Sequence, residues 1–148
     1  MVNILIVEDK PRQLHGLLKI IQALEKEWYT EHATNISEAW LKLTKKKYDA
    51  IIIDVMLPAP PPIPRQAEGL YLCAWLQESI DGLPPTPPGD IIKENKNAKI
   101  IFLTSLGQAH CAKPIEDLKL TNYILIDRIE GLADDQYDKI KNHIKENN

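Results

Sequence analysis

The chain has 148 residues, 44% hydrophobic and 26% charged, with 18 basic against 21 acidic side chains and a formal charge of −3. That is the composition of one ordinary globular domain with a real core. It argues against a basic surface that coats nucleic acid, and no run approaches the ~20 apolar residues that cross a bilayer.

Five short apolar runs alternate with helical patterns. The first strand is expected over residues 3–7, Asn-Ile-Leu-Ile-Val. Asp9-Lys10-Pro11 then reads as a helix start, an acidic cap with proline near the first helical position. Leu14, Leu17, Leu18, Ile21 and Leu24 give that helix one apolar stripe, and it ends near Glu27. The second strand is expected over 28–33. Asn35 with Glu38 three residues on resembles a capping box, and Ile36, Trp40 and Leu43 mark the inner face of a short second helix. Residues 50–54, Ala-Ile-Ile-Ile-Asp, form the third strand.

Five prolines fall between Pro58 and Pro64, where neither helix nor central strand can form. Gly69 then opens a third helix carrying Leu70 to Leu76, apolar all round, which must be covered. A second breaker follows over residues 81–89, and nine of the eleven prolines lie between Pro58 and Pro88. The cover for the third helix is expected from these proline segments. The fourth strand is expected over 99–104, and Lys113-Pro114 reads as the start of a short fourth helix. The fifth strand runs over 123–126, and Ala133, Tyr137, Ile140 and Ile144 stripe the fifth helix. The result is one (βα)5 domain over 1–148, a doubly wound parallel sheet, with proline-rich insertions at about 58–66 and 81–90.

Cys73 and Cys111 make no disulfide framework and read as reduced thiols of a cytoplasmic protein. The four histidines have no ligand spacing, and the N-terminus has no signal-peptide pattern.

Ligands of such sheets bind at the carboxyl ends of the strands. There Glu8 and Asp9 follow the first strand, Asp54 closes the third and Thr104 closes the fourth. Three carboxylates and a hydroxyl at one rim make a site for a hard cation, with a nucleophilic carboxylate inside it.

Ile4-Leu5-Ile6-Val7-Glu8-Asp9, Asp54-Val55-Met56-Leu57-Pro58, Glu68-Gly69-Leu70 and Phe102-Leu103-Thr104-Ser105 occur in this order. In order and spacing the chain resembles the receiver domain of two-component response regulators over essentially its whole length. The resemblance implies a flavodoxin-like sheet of strand order 2-1-3-4-5. It implies Mg²⁺ held by Glu8, Asp9, Asp54 and the backbone carbonyl of Met56. Asp54 would be the phosphoacceptor, served by a histidine kinase or phosphotransfer protein, and Thr104 would hydrogen-bond the phosphoryl group. Tyr123, nineteen residues after Thr104, falls where the family often has an aromatic switch, and core packing is the equal alternative. Output would pass through a downstream protein effector or a homodimer, from a stand-alone or truncated receiver that contacts neither nucleic acid nor membrane.

Two departures stand out. The loops around the third helix are long, and the family's lysine position, twenty-two residues after Thr104, holds Ile126. Arg128 shares the strand parity of Ile126 and is the candidate substitute, with Lys10 second. The rival readings are a pseudo-receiver that works by interaction alone and a phosphatase using Asp54. The latter commonly needs a second acid two residues on, where this chain has Met56.

Overall fold

Branched apolar residues crowd the centre of the sheet because both of its faces are covered. The computed structural model describes residues 1–57, 68–80, 89–105, 107–128 and 134–146. In chain order the elements are β1 (Val2–Val7), α1 (Pro11–Leu24), β2 (Trp28–Ala33), α2 (Ile36–Leu43), β3 (Ala50–Asp54), α3 (Glu68–Gln77), a 3₁₀ turn (Lys93–Asn97), β4 (Lys99–Thr104), α4 (Gln108–Asp117), β5 (Tyr123–Asp127) and α5 (Asp134–Lys145). All four strand pairings are parallel, in the order β2-β1-β3-β4-β5. This is the flavodoxin-like sheet expected from the sequence. Residues 58–66 and 81–88 of the proline-rich insertions, and Ala133, lie outside the described residues.

Strand parity divides the core. Leu5, Val7, Ile51, Ile53, Ile100 and Phe102 face α2, α3 and α4. Ile4, Ile6, Ile52, Ile101, Leu103 and Ile126 face α1 and α5. In α3, Leu70, Leu72, Cys73, Ala74, Trp75 and Leu76 are all buried. Trp75 meets the α2 ring of Trp40 edge-on, with centroids 6.3 Å apart. No described helix is long and apolar enough to cross a membrane.

Local signals were kept unevenly. Asn35 caps α2 by accepting from the Glu38 N–H at 2.9 Å. The return arm reaches the Thr34 N–H instead of that of Asn35. Asp9 does not cap α1. Lys10 holds the N-cap position without a side-chain bond, with Pro11 next, so the carboxylate of Asp9 lies one residue too early to reach the orphan amides. The fourth helix begins at Gln108, well before Lys113, and Pro114 lies inside it. Gly107, at φ 85°, breaks the chain directly before Gln108 and frees the helix to start there. Contacts of the buried Cys111 and Ile115 hold the turns around the proline.

Candidate functional site

Parallel pairing brings the carboxyl ends of β1, β3, β4 and β5 to one rim. Glu8 follows Val7, and its N–H donates to Ala33 O at 3.0 Å, so the backbone pairing of β1 with β2 carries on one residue past Val7. Asp54 is the last residue of β3. Oxygens of Glu8, Asp9 and Asp54 all lie within 4.8 Å of one another. Glu8 is 2% exposed and Asp54 7%. Asp9 Oδ1 is buried and has no hydrogen-bond partner among the described residues. An orphaned carboxylate oxygen beside two others is costly without a counter-charge. An all-oxygen donor set of this kind fits a hard divalent cation.

The electrostatics follow from that crowding. Burial, a hydrogen bond shared with Asp54 and the negative charge of Asp54 push the Glu8 carboxyl up to about 8. The Arg128 guanidinium pulls the other way without winning. Two acids cannot both ionise freely in a buried space, so Glu8 holds its proton well above the usual carboxylate range.

Each residue anticipated from the sequence has a definite place. Met56 touches the cluster through its N–H, which donates to Asp54 Oδ1 at 3.0 Å. Thr104 is 1% exposed at the end of β4, and the Cys111 thiol donates to its Oγ1 at 3.9 Å. Arg128 reaches the rim: its Nη1 is 2.9 Å from Glu8 Oε1, and its Nη2 donates to Gln13 O at 3.1 Å. Its backbone N–H donates to Thr104 O at 2.6 Å. Ile126 points into the apolar layer under α1 and α5. Lys10 is exposed. Tyr123 is not brought to the rim. It opens β5 opposite Ile100, whereas Thr104 stands opposite Asp127. At ~3.3 Å per residue, Tyr123 lies about 13 Å down the strand. There its ring packs on Phe102, with centroids 5.8 Å apart.

Three further residues belong to the rim. Asp127 pairs in register with Thr104, and its Oδ1 is buried without a hydrogen-bond partner among the described residues. Cys111 carries a thiol whose pKa burial pushes up, so it stays a weak donor to Thr104. Alternation along β5 puts Asp127 on the face of Tyr123, a signal that could have pointed to it; nothing in the sequence points to Cys111. Gly69 is the third. A Cβ there would stand 2.2 Å from Asp54 O and 2.9 Å from Val55 Cα. The glycine lets α3 start directly behind the Asp54 backbone, tied by a 2.8 Å bond from Gly69 N–H to Val55 O.

The model of the response regulator receiver domain matches residues 4–125. No match is found among the curated proteins. Among solved structures, the chain is similar to the signal receiver domain of a signal transduction histidine kinase from Syntrophus aciditrophicus. The identity there is 24% and the TM-score 0.68, covering 100% of this chain and 96% of that one. Response regulator protein TrrA from Thermotoga maritima, solved in complex with Mg²⁺ and BeF, is 24% identical with a TM-score of 0.62, covering 97% and 99%. A CheY-like receiver domain protein from Methanospirillum hungatei is 19% identical with a TM-score of 0.66, covering 97% and 94%.

Proposed function

Because the chain belongs to the response regulator receiver domain family, a family of two-component signalling modules, we propose that Asp54 accepts a phosphoryl group in a Mg²⁺-dependent reaction. The observation that carries this reading is the trio of Glu8, Asp9 and Asp54, with oxygens within 4.8 Å and one of them buried without a partner. Glu8, Asp9, Asp54 and the carbonyl of Met56 would hold the ion, which supplies positive charge against the incoming phosphoryl group.

The chain's own groups do the rest. An Asp54 carboxylate oxygen forms the bond to phosphorus as the P–N bond of a phosphohistidine donor breaks. The imidazole leaves with that electron pair and takes up a proton. Phosphoryl transfer depends mainly on positioning and charge stabilisation. The Met56 N–H holds one oxygen of Asp54 and leaves the other for attack. Thr104, closing the neighbouring strand, donates its hydroxyl to the phosphoryl group. Arg128 supplies the fixed cation that Ile126 cannot. The donor is a histidine kinase or phosphotransfer protein of the cytoplasm, and the readout is contact with an effector protein or a second copy.

A pseudo-receiver is the second reading, favoured by Ile126 and its burial at 3%. Mass spectrometry after acetyl phosphate and Mg²⁺ separates the two. One phosphoryl mass is expected, abolished in Asp54→Asn. No gain, or a gain that survives the substitution, rejects the phosphoacceptor assignment.

A further inference from the structure

We propose that Arg128 is a positioning residue that reads the charge on Asp54 and passes it to the first turn of α1. The proposal rests on Asp54 being the phosphoacceptor. One side chain, only 10% exposed, ties three elements to the rim. Nη1 holds Glu8 Oε1 at the end of β1, and Nη2 holds Gln13 O in the first turn of α1. The Arg128 N–H fixes β5 to the Thr104 carbonyl. The fork is therefore seated on a neighbour of Asp54 and on a helix at the same time.

The two partners of the fork differ in strength. Glu8 can carry charge, whereas the Gln13 carbonyl is neutral. Both bonds have a charged donor, but a charged acceptor adds direct attraction to the cation that a neutral carbonyl lacks, and guanidinium is geometrically matched to phosphate. A phosphoryl group on Asp54 adds charged acceptor oxygens to the cluster that Glu8 and Asp54 share. Nη2 then exchanges the Gln13 carbonyl for a phosphoryl oxygen while Nη1 keeps Glu8.

The start of α1 is built to feel that exchange. Its N-cap residue, Lys10, makes no side-chain cap bond, and its first turn has no acidic residue. A cation near a helix N-terminus also opposes the macrodipole, so the guanidinium is weakly held on that side. Release loosens the first turn, whose outward side chains Arg12 and His15 change presentation to a partner. The bistable part is the guanidinium fork, with two alternative acceptors for one pair of N–H groups.

The test uses the whole chain with Mg²⁺ and beryllium fluoride. ¹⁹F NMR reports occupancy of the Asp54 site, and amide shifts and hydrogen exchange report α1. In the unsubstituted protein, amides of residues 13–17 shift and exchange about tenfold faster on binding, the change expected for losing one charge-assisted hydrogen bond. In Arg128→Met they exchange fast from the outset and do not respond, even at beryllium fluoride raised until the ¹⁹F signal matches that of the parent. Arg128→Lys, a milder variant should the methionine one fold poorly, keeps the Thr104 shift. Its single ammonium cannot span both acceptors, so most of the α1 response is lost. An α1 that stays silent despite a ¹⁹F signal overturns the relay alone. So does a response that is undiminished in Arg128→Met. No ¹⁹F signal and no phosphoryl mass gain on Asp54 overturn the phosphoacceptor reading and the relay with it.

Discussion

Asp9 is the most exposed to test of the three acids, because one of its oxygens is buried with no partner of its own. Calorimetry of Asp9→Ala should find Mg²⁺ affinity lowered at least tenfold; an undiminished affinity would reject the metal site. Ile126→Lys is expected to behave differently from a restoration of the family pattern. The side chain is 3% exposed and packed with Ile4, Ile6 and Tyr137. A lysine there loses the apolar contacts and has to bury its amine, which costs about 3 kcal/mol or more in urea unfolding. A variant as stable as the parent would show that the lysine finds its way to the rim. The acids and Arg128 were legible in the sequence because strand ends and strand parity are short-range properties. Tyr123 was legible only as one of two alternatives, a switch or core packing, because a count of nineteen residues from Thr104 fixes a place on β5 and not a role. Its ring packs on Phe102, and it stands four residues before Asp127, the residue that pairs with Thr104.

Among the elements, α3 is tied most closely to the chemistry. Gly69 abuts the carbonyl of Asp54 and the backbone of Val55, atoms that cannot swing aside. Gly69→Ala should therefore cost more than the ~1–3 kcal/mol of ordinary overpacking and also slow phosphorylation by shifting Asp54. Differential calorimetry and the acetyl phosphate assay read the two effects, and an alanine variant normal in both would contradict this packing. The strands and α2 were readable because apolar runs and an Asn-to-Glu cap are local signals. The start of α4 was not, because Gly107 and the buried contacts of Cys111 outweigh the pull of Pro114 toward a first turn. The close approach of Gly69 to β3 is a tertiary fact, visible in the sequence only as a glycine before an apolar run.

At the scale of the molecule, the face opposite the acid rim adds its own contribution to the response to pH, opposite in sign to that of Glu8, whose raised pKa favours the folded state on acidification. His143 is buried in α5. Burial, with the Lys99 ammonium of β4 beside it, holds its pKa below the usual 6.5, while Glu146 after α5 pulls weakly the other way at 3.8 Å from Nδ1. The sign follows from proton counting. As pH falls through 6.5, the unfolded chain takes up a proton that folded His143 refuses, so the contribution of this residue declines with acidification until the folded pKa is passed. His143→Phe should raise the urea midpoint at about pH 5.5 relative to that at about pH 7.5, compared with the same pair of values in the parent. An unchanged difference between the two midpoints would place the acid sensitivity elsewhere.

The bond between Arg128 and Glu8 spans 120 residues of sequence. A chain emerging from the ribosome holds Glu8, Asp9 and Asp54 long before Arg128, the buried cation that faces Glu8, is made. Until β5 docks as the last strand of the sheet, three carboxylates share a rim with no guanidinium to offset them. Closing so long a loop is slow. Assembly of the rim is thus a late event in biogenesis, and under the proposed Mg²⁺ dependence free divalent cation during synthesis would be a folding aid as well as a reagent. A nascent chain arrested before residue 128 carries Glu8, Asp9 and Asp54 and not their counter-charge, so the rim is balanced only once Arg128 has been made.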